Sequence, residues 1–278
     1  MRPNRIRQIG IVARYELLKY LRGRRLLAIV LLTVIVSAIF LVVPPATGSQ
    51  YSKGPTEFVT NTLQFLSVLS ILSATFFGAD AIVSEFESKT GYFLFPNPIR
   101  KTTIFLGKFI ASALVSVGAI ALYYLIAVAS VRVIDGSIPA NTGLSFAYSL
   151  VYLFAILAVA YLFSALMRSS VYSLILTFFT FFLILPIVSS VGELAKFKPW
   201  FSITFASEIA TDILKNPYPT DTMIATTGRG PGLGVPEPGA LISGAQYYPT
   251  VTVSLIVMAA YFIVAFLLAI VLTRRREM

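Results

Sequence analysis

Six apolar runs of near-membrane length dominate the chain, at roughly 25–44, 61–83, 104–131, 143–167, 171–190 and 250–273. A helix rising about 1.5 Å per residue needs about 20 apolar residues to cross a hydrocarbon core. Hydrophobic residues make up 57% of the 278 positions and charged residues 12%, with a mean hydropathy of +0.83. A water-soluble fold of that composition would leave too little polar surface to face water, so lipid is the solvent for most of the chain. The runs are too long and too uniformly apolar for barrel strands. The expectation is an all-α integral membrane protein, a single transmembrane domain of six helices.

The basic residues give the helices a direction. Sixteen of the twenty-two lysines and arginines fall on the N-terminal segment, the 84–103 loop with Lys108 just beyond it, Arg168 and the C-terminal tail. The opposite side holds Lys53, Arg132, Lys196, Lys198, Lys215 and Arg229 against seven acids. An excess of Lys and Arg marks the cytoplasmic side. Both termini are therefore expected in the cytoplasm, which requires an even number of spans, in a multi-pass protein of the cell membrane. The basic residues flank apolar runs rather than gathering on one face, which argues against nucleic acid as the partner of the +10 charge. The chain has no cysteine and no histidine. Disulfides, thiolate chemistry, the common zinc sites and the usual neutral-pH base are thereby excluded.

Outside the spans, residues 4–22 carry Ile6, Ile9, Val12 or Ala13, Leu17 and Tyr20 at helical spacing among arginines. That pattern predicts an amphipathic helix in the membrane interface, with its arginines toward anionic lipid headgroups. The basic segment and the run that ends at Val42-Val43-Pro44-Pro45 read as a retained first helix, not a cleaved signal. Residues 191–249 form the longest break. A short amphipathic helix is expected near Phe201–Leu214, and the 193–214 portion is apolar enough to dip into the outer leaflet. The Pro- and Gly-rich remainder, Pro217 to Gly239, is expected to be an extended outer loop. Pro186 is expected to kink or break the fifth span near its outer end. No phosphate-binding Gly-Lys-Ser/Thr loop occurs, so any ATP-driven work needs a second polypeptide.

The most informative stretch leaves the second run at Asp80 and passes Glu85 and Glu87. It continues through Lys89, Thr90, Gly91, an aromatic and apolar cluster (Tyr92, Phe93, Leu94, Phe95) and Pro96-Asn97-Pro98 to Arg100-Lys101. An apolar cluster in a short cytoplasmic loop lies back on the membrane or fills a groove on a soluble partner. Glu85 and Glu87 are two apart, so on a helix they point different ways and do not form a carboxylate dyad.

Ser84-Glu85-Phe86-Glu87-Ser88-Lys89-Thr90-Gly91, then Pro96 to Lys101, then Gly107-Lys108, resembles the signature of ABC-2 type transporter permeases. The order Lys89-Thr90-Gly91 departs from the family's Lys-Gly-Thr, and Phe86 stands where a basic residue is frequent. Leu162 to Ser170 resembles the family's serine-rich turn between the fourth and fifth helices, and Ala13 to Lys19 its opening helix. The resemblance implies a connecting helix bearing Arg14, Glu16 and Lys19. It implies an ATPase-docking coupling segment of Glu85, Phe86, Glu87, Ser88, Lys89, Thr90, Gly91, Tyr92 and Phe93, and short re-entrant outer helices between spans five and six. It further implies two ABC ATPase subunits carrying ATP and Mg, a second permease copy in a homodimer or related heterodimer, and export. No cofactor is expected in this chain.

Gln64, Ser67, Ser70 and Ser73 of the second run either line a path between protomers or serve helix packing, where small hydroxylated residues are common. Asp80, the one acidic residue within a run, is either a gate or a satisfied anchor. The competing readings are a stand-alone secondary carrier or channel, which calls for several mid-membrane charges or paired broken helices, and an intramembrane enzyme.

Overall fold

The computed structural model describes residues 5–48, 54–87, 100–195, 197–226 and 242–275. Six helices are long and apolar enough to cross a membrane: Arg24–Ala46, Pro55–Glu87, Lys101–Ile134, Thr142–Leu166, Ser170–Gly192 and Val251–Arg275. They are called the first to sixth spans below. An N-terminal helix, Arg5–Leu21, precedes them. The all-helical membrane architecture read from the sequence is the one observed. The second span starts earlier than its apolar run because Pro55 and Glu57 begin a helix whose first turns are polar. The third runs past its apolar run at both ends, and its basic end gives the N-terminal helix a base to pack on.

The fourth span is the hub, packed against the second, fifth and sixth, while the third carries the first span and the N-terminal helix. Small residues allow the closest approach. A Cβ on Gly78 of the second span would lie 2.8 Å from Leu157 and 3.0 Å from Ala160 of the fourth. Ala155, Ala158 and Ala160 are fully buried along that seam. Aromatic residues fill the wider gaps. Phe109 meets Tyr161 edge-on at 5.1 Å and Phe266 at 4.9 Å, joining the third, fourth and sixth spans.

Of the kink or break expected at Pro186 in the fifth span, the break does not occur. The helix neither stops nor breaks there. A π-helical turn, Thr180–Ile184, comes just before it, and Pro186 sits at the second residue of the next helical segment, Leu185–Leu194. The widened turn takes up the register change that a missing amide imposes, and proline is tolerated in the first turn of the segment that follows.

Two short helices, Ile203–Ser207 and Ile209–Asp212, stand where one amphipathic helix was expected. They pack into the far end of the bundle, against the fourth and sixth spans, with Ile203, Phe205, Ile209 and Leu214 buried. Backbone that is not fully helical is tolerated at such a place only when neighbours satisfy it. Here Ser145 donates to the Ala210 carbonyl, Asn141 to that of Ile213 at 2.8 Å, and Tyr261 to that of Phe201 at 3.3 Å.

Within the stretch expected to be an extended loop, Thr222–Thr226 is a strand, paired antiparallel with Ile242–Gln246 in register from Thr222–Gln246 to Thr226–Ile242; residues 227–241 lie outside the described residues. The many prolines and glycines between the strands masked two five-residue runs that contain β-branched Thr222, Ile224, Thr226 and Ile242. The base of this hairpin is pinned. Lys198 pairs with Asp221 at 2.9 Å, the Tyr248 amide donates to Asp221 at 2.7 Å, and the Tyr218 hydroxyl donates to the Pro249 carbonyl at 2.5 Å. Partial burial works against the Asp221 carboxylate, but the Tyr248 amide and the Lys198 ammonium outweigh it and hold its pKa below the ordinary value.

Candidate functional site

Two regions gather chemistry, one at each end of the bundle. At the basic end, the N-terminal helix crosses the third span at Gly107. A Cβ there would lie 2.7 Å from Val12 and 3.1 Å from the Ile9 carbonyl, so only glycine permits the crossing as built. Ala13 and Tyr20 are buried on the same stripe of the helix, and Glu16 falls between them at helical spacing. Glu16 is thereby aimed inward, 3.3 Å from the Lys108 ammonium. Glu85, from the last turns of the second span, approaches Lys108 from the other side at 2.7 Å. The Lys108 side chain is 3% exposed. A buried ammonium persists only when paired, and two carboxylates from two other elements supply the pairing. Lys19 covers Glu16 from outside at 3.0 Å.

Tyr20 extends the same joint deeper. Its hydroxyl donates to the Phe77 carbonyl of the second span at 3.0 Å. Burial, with the Glu16 charge next, pushes its pKa well above the ordinary range, which keeps the phenol a donor. Nearby, Ser112 donates to the Lys108 carbonyl at 2.9 Å, so the Tyr161 hydroxyl is the donor in its 2.6 Å contact with Ser112.

The second span is interrupted at Ala79–Ile82, between helical segments that end at Gly78 and restart at Val83. Three other spans hold this break. Ser164 of the fourth accepts from the amides of Ile82 at 2.9 Å and Val83 at 3.0 Å. Ser173 of the fifth donates to the Ala79 carbonyl. Arg25 of the first donates to Asp80 at 2.5 Å and to the Phe76 carbonyl at 3.0 Å. Asp80 is thus paired with a basic residue of the first span.

Glu87 turns away from Lys108, as the two-residue spacing requires. It accepts from the Ser170 amide at 2.9 Å and from the Ser169 hydroxyl at 3.3 Å, where the fifth span begins. A carboxylate at a helix start satisfies free amides and suits the helix dipole. Phe86 packs half-buried against the core. Ser88, Lys89, Thr90, Gly91, Tyr92 and Phe93 lie outside the described residues. Arg14 and Lys19 are exposed, so of the connecting-helix trio Glu16 meets Lys108 directly and Lys19 touches the cluster only through Glu16.

At the far end, the second span, the π-helical turn of the fifth and the outer helix pair enclose a half-open groove of about 330 Å³. Hydroxyls of Ser67, Ser189, Ser190, Thr204 and Ser207 share its wall with Phe181, Phe182 and Phe205, and Glu208 stands at its edge. Ser67 meets Ser207 at 3.1 Å. The serine stripe of the second span is therefore divided. Ser67 lines the groove and Gln64 is exposed. Ser70 is sealed inside and bonded to the Leu66 carbonyl of its own helix. Ser73 is also sealed, its hydroxyl without a partner among the described residues.

The contacts of Lys108, Arg25, Ser164 and Ser173 are not readable from the sequence. The resemblance marks Lys108 and Ser164 as parts of motifs but says nothing of what they touch, Arg25 reads as a flanking charge, and the partners of the two serines lie 81–94 positions away.

A search of curated proteins finds no match. The sequence profile of the ABC-2 family transporter protein matches residues 42–271, from the end of the first span through nearly all of the sixth. With that match added to the six-helix architecture, the chain belongs to the ABC-2 transporter family and is a membrane-spanning permease component of an ABC transporter.

Proposed function

We propose that the chain is the export permease of a complex with two separate ABC ATPase subunits, working beside a second permease copy in the cell membrane with both termini in the cytoplasm. The observation that carries the reading is the Glu16–Lys108–Glu85 cluster. It joins the end of the second span, which leads into the 88–99 segment, to the N-terminal helix and the third span. A push on that segment by an ATPase is delivered to three elements at once. The break at Ala79–Ile82 is a natural pivot for such a movement, because helices that rearrange between two packings need discrete points of bending. ATP and Mg are bound on the ATPase partner. Glu85 to Phe93 form the docking segment, with the N-terminal helix beside it.

The groove at the far end is the cargo-facing part of this chain, closed by the second copy. Its wall mixes hydroxyls with phenyl rings and carries a carboxylate but no lysine or arginine. That lining suits an uncharged or cationic amphiphile over an anion.

Co-expression with an ATP-binding subunit tests the reading. Co-purification is expected, and it should be lost when Glu85 to Gly91 are replaced by a Gly/Ser linker. Ser67→Phe, which fills the groove, should leave co-purification intact and abolish cargo stimulation of ATP hydrolysis. Cargo movement by the purified chain alone, without ATP, would overturn the proposal.

A further inference from the structure

We infer that the elbow between the N-terminal helix and the first span is a specific site for the headgroup of an anionic phospholipid. The inference rests on the membrane-protein reading and is independent of the ATPase. A cavity of about 410 Å³ lies where the N-terminal helix, the first turn of the first span and the break of the second span meet. Its charged lining is Glu16, Lys19, Arg24, Arg25 and Asp80. Both carboxylates are already engaged. Glu16 is held by Lys108 and Lys19, and Asp80 by Arg25. Arg24 has no anionic partner among the described residues, and Arg25 uses only one of its terminal nitrogens on Asp80 and the Phe76 carbonyl. The helix behind these arginines begins at Gly23, which offers no side chain to cap the first turn. The cavity lining therefore carries one more cation than carboxylates, and among the described residues no further anion meets the Arg24 guanidinium.

The residues that follow Arg24 distinguish a lipid from a free anion. Leu27, Leu31 and Ile35 follow at helical spacing on the face that Arg24 heads, and they are 62%, 51% and 54% exposed. A basic cavity therefore continues directly into an uncovered apolar stripe running down the span. A molecule with a phosphate at one end and an acyl chain at the other fits both parts, whereas inorganic phosphate uses only the first. Basic pockets between helices at a membrane surface recognise headgroups in this way. Arginines that only snorkel into bulk headgroups would bind any anionic lipid loosely and without fixed stoichiometry.

The test is native mass spectrometry of the full chain in detergent, titrated in parallel with phosphatidylglycerol, phosphatidylcholine and inorganic phosphate. The expected result is one phosphatidylglycerol retained at least tenfold more tightly than phosphatidylcholine, and no competition from equimolar phosphate. Arg24→Gln should reduce that preference about tenfold, Arg24→Lys should keep most of it, and Arg14→Gln, on the exposed side of the N-terminal helix, should leave it unchanged. Equal retention of the two lipids by the unaltered chain would overturn the inference, and this arm needs no variant to fold. So would a preference that survives Arg24→Gln, or displacement by free phosphate.

Discussion

The Lys108 ammonium, 3% exposed, lies 2.7 Å from the Glu85 carboxylate. Lys108 stands near the start of the third span and Glu85 near the end of the second, so this contact joins two spans that follow one another in the sequence. Removing one member leaves a charge in a place built for a pair, at a cost of about 3 kcal/mol. Lys108→Met should lower the thermal unfolding midpoint in detergent by several degrees. Lys108→Arg should recover most of the loss. A midpoint unchanged by Lys108→Met would show that the ammonium is not buried in the membrane-embedded protein.

Gly107 decides whether the N-terminal helix can dock at all. Because the chain has no cysteine, a single Ala13→Cys reports its docking cleanly. Ala13 is 8% exposed, so the thiol should resist a maleimide in an otherwise unaltered chain. Adding Gly107→Val, whose Cβ would sit 2.7 Å from Val12, should make it label at least tenfold faster. Equal labelling rates would refute the crossing.

Ser164 is the acceptor for two amides that the interrupted second span leaves without helical partners. Ser164→Ala should cost about 1–3 kcal/mol, the penalty for an unsatisfied buried donor. Hydrogen exchange at Ile82 and Val83 should quicken in the same variant. Ser130→Ala serves as the control, since Ser130 donates to the Ile126 carbonyl of its own helix. If the two variants behaved alike, the break would be held by something other than Ser164.

Asp221 predicts a pH response at the base of the hairpin. Its pKa is depressed in the folded protein, so its stabilisation is fully present above the ordinary aspartate value of about 3.9 and is lost as pH falls through the lower folded value. Trp200, the single tryptophan, is two residues from Lys198 and reports on the site. Its fluorescence should be flat from pH 7 to about 5 and change in more acid solution. Asp221→Asn should abolish that change. A transition near neutrality would assign the signal to another group.

The spans were legible in the sequence because lipid imposes one simple demand, about 20 apolar residues per crossing, and little else competes with it. The N-terminal helix was legible for a similar reason: Ile9, Ala13 and Tyr20 repeat with the helical period whatever they touch. The hairpin was not, because Pro217 to Gly239 dominates local composition and strand pairing between Thr222 and Gln246 depends on residues 24 positions apart. The site was half legible. Glu85 and Glu87 were seen to diverge from their spacing alone. That Glu85 would meet Lys108, and that Glu16 would join from 92 positions away, depends on how three helices cross, and no local pattern encodes a crossing. Ser67, Ser70 and Ser73 share a stripe in sequence, yet only Ser67 opens on the groove, because the second span is enclosed on most of its circumference by neighbours.

The interrupted second span bears on how the protein is made. Its break is completed by Ser164 and Ser173, residues that leave the ribosome some 80 to 90 positions after the segment they hold. Until the fourth and fifth spans have entered the bilayer, Ile82 and Val83 must find other acceptors, and Ala79 another donor. The first half of the chain therefore waits in the membrane, inserted but unfinished, for the second half to lock it.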